Sequence, residues 1–195
     1  MPEFESLVAF GVAVLVMDSF ATSRLKATRL AREDLPDLVQ LHLDGEVSRF
    51  LGGVRTPTQT ATYLETSLRH WADHGLGLWT LRTNDGAFVG RAGLRHVELE
   101  GVPELEVAYT FVRSAWRQGF ATEIAKALVE VWEKRCAEPT LVGIVMKGNL
   151  SSERVLLKTG FSYERDAVFH DARCSVFRIP RLAFGPARSP AALPR

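Results

Sequence analysis

The sequence predicts an α+β domain of three layers, with a central mixed, mostly antiparallel sheet between helices. Three observations carry this. Strand-like and helix-like segments follow the order β-α-α-β-β-β-α-β-α-β-β. Asn84-Asp85-Gly86 is a turn of the kind that joins antiparallel strands. Leu141 to Met146 is a continuous apolar run rich in β-branched residues, which suits a strand covered on both faces. A chain of 195 residues, 46% of them hydrophobic, is the right size for one core.

The elements follow in order. Arg24 to Leu30 alternates polar and apolar residues, as a half-buried strand does. Arg32 to Leu43 has the helical period, with Leu35, Leu38, Val39 and Leu43 on its apolar side. Thr56 offers a capping hydroxyl and Pro57 fits the first turn, so a second helix runs from there to about His74 and stops at Gly75. Gly77 to Thr83 and Ala87 to Glu98 form a hairpin about the Asn84-Asp85-Gly86 turn, and Glu104 to Val112 is a third strand. From Gly119 to Arg135, residues Ala121, Ile124, Ala125, Leu128, Val131 and Trp132 form one apolar stripe of a helix. Leu141 to Met146 is the next strand, Asn149 to Thr159 a short helix ended by Gly160, and Phe161 to Tyr163 and Cys174 to Ile179 close the sheet.

Residues 22–181 form the expected domain, with 1–21 an apolar extension and 182–195 a loose tail holding three prolines. The unbroken apolar run Leu7 to Met17 is shorter than the roughly 20 residues that a bilayer requires. Glu3 and Glu5 precede it, where a leader peptide carries positive charge. It reads as a segment packed on the domain, as a contact for a homodimer, or as sequence upstream of a natural start at Met17. No membrane span is expected.

Charge and cysteine usage exclude several classes. Lys and Arg total 24 and Asp and Glu 23, a net charge of +1 without a basic run, so nucleic acid is not an expected partner. Cys136 and Cys174 lie far apart with no C-x-x-C spacing, which argues against a disulfide framework or a zinc site and for a reduced, cytoplasmic protein. His70 and His74 stand at i, i+4, but the sequence shows no third ligand beside them, so no metal is expected.

The stretch Trp116-Arg117-Gln118-Gly119-Phe120-Ala121-Thr122-Glu123 sits between a strand and a helix. Gly119 and the small Ala121 allow a ligand close to the backbone. The helix start supplies unpaired N–H groups and partial positive charge, a site for a pyrophosphate. Candidate ligands are Arg117, Gln118, Gly119, Phe120, Ala121 and Thr122. An ordinary helix entry with a packing glycine has the same appearance. The spacing is neither that of a Walker P-loop nor that of a Rossmann fingerprint.

This octet resembles motif A of the GNAT superfamily N-acetyltransferases, (Q/R)-x-x-G-x-(G/A), with Trp116 at the usual Gln or Arg. W-x-x-G-(Y/F)-A-T-E is typical of the Rim-type, ribosomal-protein-acetylating branch. Glu106-Val107-Ala108-Tyr109, Asn149 to Leu156 (N-x-x-S-x-R-V-L), Lys158-Thr159-Gly160-Phe161 and the opening Arg24-Leu25 with Glu33-Asp34-Leu35 match the same branch, in order, over about residues 22 to 180. The resemblance implies transfer of acetyl from acetyl-CoA to a primary amine, on a protein N-terminus or a small molecule, by direct attack in a ternary complex.

It also implies roles. Glu106 takes the amine proton; Glu104 and Ala108 share its face of the strand, and Leu105, Val107 and Tyr109 take the other. Backbone groups of Phe111 and Val112 face the pantetheine and the oxyanion, where this strand and Leu141 to Met146 diverge. Asn149 bonds the pantetheine arm and Ser152 protonates the leaving thiolate, with Tyr109 and Tyr163 as rival donors. Each has a plainer reading: Glu106 in a structural ion pair, Asn149 as a helix N-cap. A non-catalytic acyl-CoA-binding module and an interaction protein are the alternative functions. Cys136 reads as structural, and Arg69 to Trp79 as a stretch near the acceptor cleft without an assigned role.

Overall fold

Eight strands and five helices fill residues 17–181, the part of the chain that the computed structural model describes. The strands are β1 (Ser19–Ala21), β2 (Leu25–Arg29), β3 (Leu78–Thr83), β4 (Phe88–Leu99), β5 (Val102–Phe111), β6 (Thr140–Met146), β7 (Ser162–Phe169) and β8 (Ala172–Pro180). The helices are α1 (Leu35–Leu43), α2 (Gly45–Ser48), α3 (Pro57–His74), α4 (Phe120–Arg135) and α5 (Leu150–Lys158). One sheet takes the order β1-β2-β3-β4-β5-β6-β8-β7. Every neighbouring pair is antiparallel except β5 and β6.

The alternation of side chains along β3, β4 and β5 creates two apolar faces. On one, Leu81, Leu94, Leu105 and Val107 meet Ile124, Leu128 and Trp132 of α4 and Leu156 of α5. On the other, Leu78 and Ala108 meet Leu38 and Leu41 of α1 and Leu64 of α3. Trp132 is fully buried, with its Nε1 donating to the Glu138 carbonyl at 3.0 Å, so the ring is covered and its polar atom satisfied. Gly143 on β6 lets α5 sit close: a Cβ there would come within 2.5 Å of Leu156 Cδ1.

Local chemistry sets the element ends. Thr56 Oγ1 accepts from Gln59 N at 3.2 Å and Gln59 Oε1 accepts from Thr56 N at 2.8 Å, a reciprocal cap for α3. Gly75 ends that helix at φ 67°. Asp34 is buried yet accepts from Ala31 N at 3.0 Å and Thr80 Oγ1 at 2.6 Å, which ties the entry of α1 to β3.

Four features differ from the sequence reading. The helix expected from Arg32 begins as a 3-10 turn, Arg32–Asp34, and becomes α-helical at Leu35, with Pro36 in the first turn where its missing N–H costs nothing. Helix α2 was not anticipated; it is one turn, held by Asp44 Oδ1, which accepts from Glu46 N at 3.0 Å and Val47 N at 3.3 Å. Strand β1 lies inside the stretch assigned to an extension, and its pairing of Ser19–Ala21 with Lys26–Thr28 places the sheet's edge before residue 22. Strand β7 runs to Phe169 rather than stopping at Tyr163. Its hairpin with β8 turns at His170 (φ 48°) and Asp171 (φ 61°), a left-handed pair without the glycine that marks such turns in sequence.

The apolar run Leu7 to Met17 and residues 182–195 lie outside the described residues, except for Met17, whose carbonyl accepts from Trp79 Nε1 at 3.2 Å. No described helix is long and apolar enough to cross a membrane.

His42 is wholly buried in α1, with Nδ1 3.2 Å from Thr60 Oγ1. Burial, reinforced by Arg91 and Arg55, pushes its pKa down to about 3 from the ordinary 6.5. A depressed folded-state value means that stability is present above the unfolded pKa and lost as pH falls below it. Between about pH 7.5 and about pH 5 the protein should lose about 2 kcal/mol more unfolding free energy than His42→Leu, as read from urea melts. Equal losses would show that His42 is protonated in the fold.

Candidate active site

Strands β5 and β6 pair in parallel at Glu106 and Val142 and nowhere else. Past that point Val107 to Phe111 and Gly143 to Met146 separate and line a cavity of about 880 Å³. The backbone of β5 faces this gap at alternate residues. Val112 N donates to Val89 O at 3.0 Å, and the register runs unbroken from Gly90↔Phe111 to Leu99↔Val102. An antiparallel ladder therefore turns the amides of Thr110, Ala108 and Glu106 to β4; that of Val107 completes the one pairing with β6, and those of Tyr109 and Phe111 face the gap.

At the end of β5 the chain enters α4 through two left-handed residues, Arg117 (φ 60°) and Gly119 (φ 83°). No side chain caps the helix. Glu123 N is the first amide to bond back, to Gly119 O at 3.0 Å, so those of Phe120, Ala121 and Thr122 have no helical partner. A helix start of this kind can receive an anion on its main chain and is a candidate cradle. It is held from the far edge of the sheet. Arg24 Nη1 donates to Gln118 O at 2.8 Å, and its guanidinium lies 4.6 Å from the Phe120 ring centroid. Arg24 Nε donates to Glu123 Oε2 at 2.7 Å, while Glu123 Oε1 accepts from Thr22 Oγ1 at 2.6 Å and from Ser23 and Arg24 N. Burial opposes ionisation of Glu123, but the bonds from Thr22, Arg24 and Ser23 outweigh it and hold the carboxyl below its usual range.

The second wall comes from α5. Asn149 Oδ1 accepts from Ser152 N at 3.2 Å, so it is the N-cap, and it lines the cavity as well. Ser152 Oγ is 2.9 Å from Tyr109 Oη, which also lies 3.2 Å from the Ser152 carbonyl. This pair bridges the gap from β5 to α5. Burial, only partly countered by the bond to Ser152, pushes the Tyr109 hydroxyl up to about 12, so it keeps its proton at neutral pH.

On the face of α1 and α3, Glu106 is 4% exposed and its Oε2 accepts from Arg95 Nε at 2.6 Å. Its other oxygen has no hydrogen bond among the described residues. Ala108, Arg91, Arg55, Tyr63 and the apolar Val47, Phe50 and Leu51 complete this end of the cavity.

The cavity thus brings together Glu106, Phe111, Arg117, Gly119, Phe120, Ala121, Thr122, Asn149 and Ser152. It does not include Val112 or Gln118. The Val112 amide is bound to Val89 and its carbonyl accepts from Ala115 N at 3.0 Å, leaving neither free for a ligand. Gln118 turns its side chain to the Ser114 carbonyl at 2.7 Å and its own carbonyl to Arg24. Tyr163 lies outside too, bonded to Asp166 at 2.9 Å on the sheet edge. None of Arg69 to Trp79 lines the cavity. Cys136 follows α4, and burial with Glu138 nearby pushes its thiol up to about 11, unsuited to a nucleophile.

The expectation that His70 and His74 lack a third ligand is corrected, because β4 brings His96 to them, with ring nitrogens of all three within 4.8 Å. His70, however, donates through Nδ1 to Leu76 O at 2.9 Å and accepts from His96 N at Nε2, also at 2.9 Å, which commits both nitrogens to the backbone. Sequence reasoning missed Arg91, Arg95, Arg55 and Tyr63. The available signal was two arginines four apart in an otherwise apolar strand, hence on one face of it.

Residues 24–162 match a family described as "Acetyltransferase (GNAT) domain". Among solved structures, the acetyltransferase from Agrobacterium tumefaciens str. C58 is similar at 23% identity and TM-score 0.74, over 90% of this chain and 99% of that one. An acetyl transferase from Salmonella typhimurium, described as modifying the N-terminal serine of ribosomal protein L7/L12, is 14% identical with TM-score 0.69, over 82% and 96%. Spermidine N-acetyltransferase from Vibrio cholerae, in complex with CoA and spermine, is 14% identical with TM-score 0.66, over 82% and 96%. At these identities the structures speak to the fold, and the ribosomal-protein branch is one of several in it.

Gly119 tests the cradle's geometry without any ligand. A Cβ there would meet nothing closer than Arg24 Nη2 at 3.4 Å, so the cost of a side chain is conformational. Gly119→Ala should lower the unfolding free energy by about 1 kcal/mol in urea melts. An unchanged value would mean that residue 119 does not hold its left-handed backbone.

Proposed function

Because the chain belongs to the GNAT acetyltransferase family, we propose that it moves an acetyl group from acetyl-CoA to a primary amine by direct attack, with both substrates bound in the one cavity. The observation that carries this is the parting of β5 and β6 directly after Glu106. It places an uncommitted backbone edge, a main-chain anion cradle and a carboxylate around one space.

Acetyl-CoA is a substrate, and the site suits it. The amides of Phe120, Ala121 and Thr122, with Arg117 beside them, receive its pyrophosphate. The open edge of β5 and the free amide end of Asn149 receive the pantetheine. The amine arrives from the α1 and α3 side. Glu106, steadied by Arg95, takes a proton from it directly or through water, since a protonated amine has no lone pair for attack. The nitrogen adds to the thioester carbon, and the Phe111 N–H stabilises the oxyanion. The C–S bond then breaks: the thiolate takes a proton from the Ser152 and Tyr109 hydroxyl pair, protonated at neutral pH, and the second proton of the adduct nitrogen leaves as the amide forms and restores the pair through solvent.

The acceptor class includes protein N-termini and small-molecule amines, since solved neighbours are described for each. Isothermal titration with acetyl-CoA, with desulfo-CoA as control, should give micromolar binding, and an amine panel should release CoA thiol. Binding without release over a broad panel would point to a non-catalytic acyl-CoA-binding module. Glu106→Gln should lower kcat by about a hundredfold with acetyl-CoA affinity nearly unchanged. A rate equal to that of the unaltered protein at every pH would remove the base assignment. Ser152→Ala and Tyr109→Phe should each lower kcat modestly, and the double variant by more than either, because each hydroxyl can stand in for the other. A double variant as fast as the parent would remove the pair from the chemistry.

A further inference from the structure

The Glu106 end of the cavity holds two arginines without an ion-pair partner among the described residues. Arg91 is 4% exposed, and neither it nor Arg55 forms an ion pair among the described residues. The two guanidiniums lie against the ring of Tyr63, at 4.8 Å for Arg91 and 5.2 Å for Arg55. Arg91 Nε, Arg55 Nη1 and the Tyr63 hydroxyl are all buried without a hydrogen-bond partner among the described residues. Arg55 spends one donor, Nη2, on the Leu51 carbonyl at 2.9 Å, which fixes its position.

Buried cations of this kind are costly unless an anion meets them. The same chain shows the ordinary solution nearby, where Arg95 is met by Glu106 at 2.6 Å and Arg178 by Glu104 at 2.6 Å. His42, 5.0 Å from Tyr63 and held neutral, contributes no negative charge. The cluster is not the pyrophosphate site. Arg91 stands opposite Thr110 in the ladder and shares a face with Thr110, Ala108 and Glu106, the face of α1 and α3, whereas α4 packs on the other.

Resting on the acetyltransferase reading above, we propose that the amine acceptor carries a carboxylate, which Arg91, Arg55 and Tyr63 bind while its amine lies at Glu106. Guanidinium donors match a carboxylate in shape and charge. Both ends line one cavity, so the acceptor is an amino acid or a chain terminus with an acidic group close to its amine. A polyamine, cationic along its length, would face two guanidiniums that hold no ion pair among the described residues.

The test compares matched acceptors by thiol release: amino acids against their carboxamides, short peptides with an acidic second residue against their amide twins, and spermidine. The carboxylate form should be favoured in kcat/KM by at least about tenfold. Which set shows it tells a free amino acid from a peptide. In Arg91→Gln and Arg55→Gln that preference should fall toward unity, with the carboxamide rates as the internal control for folding. Thermal melting with millimolar succinate and no acetyl-CoA gives a second reading: stabilisation of the unaltered protein, lost in the double variant. Succinate stabilisation with no acetyl transfer to any amine would sink the enzyme reading and leave the anion site standing. Acetyl transfer with carboxamides or spermidine used as well as carboxylates, and no effect of succinate, would overturn the proposal.

Discussion

Two parallel strands that pair at a single position create the space in which everything else operates. Backbone groups in a sheet are normally satisfied by the next strand. Here β5 and β6 meet at Glu106 and Val142 and then part, so the amides of Tyr109 and Phe111 face the gap with no strand beside them among the described residues. The connection between the two strands runs through α4, and the connection from β6 onward runs through α5. Both helices therefore begin at the C-terminal end of the gap, as crossover connections of parallel strands require. The cradle at Gly119 and the cap at Asn149 are consequences of that topology, and the Tyr109 to Ser152 bond spans the opening between them.

Ion pairs are placed where geometry must be exact in the ordinary sense of holding parts together. Arg24 and Glu123 join the second strand to the first turn of α4, and Arg178 joins Glu104 on β5 to Glu164 on β7. The surface exposure of the Arg24 side chain, 48%, means that the pair contributes little by Coulomb attraction alone. Its value lies in the convergence of Thr22, Ser23 and Arg24 on one carboxylate, which leaves the loop Arg117 to Gly119 a single way to run. Arg91 and Arg55, by contrast, stand at the Glu106 end of the cavity with no ion pair among the described residues.

Much of this was legible in the residues themselves. The stripe of Ile124, Leu128 and Trp132, the Thr56 cap and the Gly75 stop follow from local rules, and the helices lie where those rules put them. The glycine in a strand-to-helix loop pointed to the cradle because a positive φ and a free helix start are both local properties. What was not legible depends on contacts distant in the chain. Val112 lies next to Phe111, but which of the two amides faces the gap is decided by register with Val89, and register is a property of pairs. The full length of strand β7 leaves no local mark, because its turn uses His170 and Asp171 rather than glycine. His96 joins His70 and His74 only because a strand passes the end of α3, and Arg91 meets Arg55 and Tyr63 from three separate elements.

The two ends of the cavity are built from different material. The end at the start of α4 is made largely of peptide groups, which every residue except proline supplies alike. The end beside Glu106 is made of side chains from α2, α3, β4 and the loop between α2 and α3. Substitution can therefore rewrite one end without touching the other. A few codons at the side-chain end would change the shape and charge offered there, while no single codon, proline's apart, alters the peptide groups of the other.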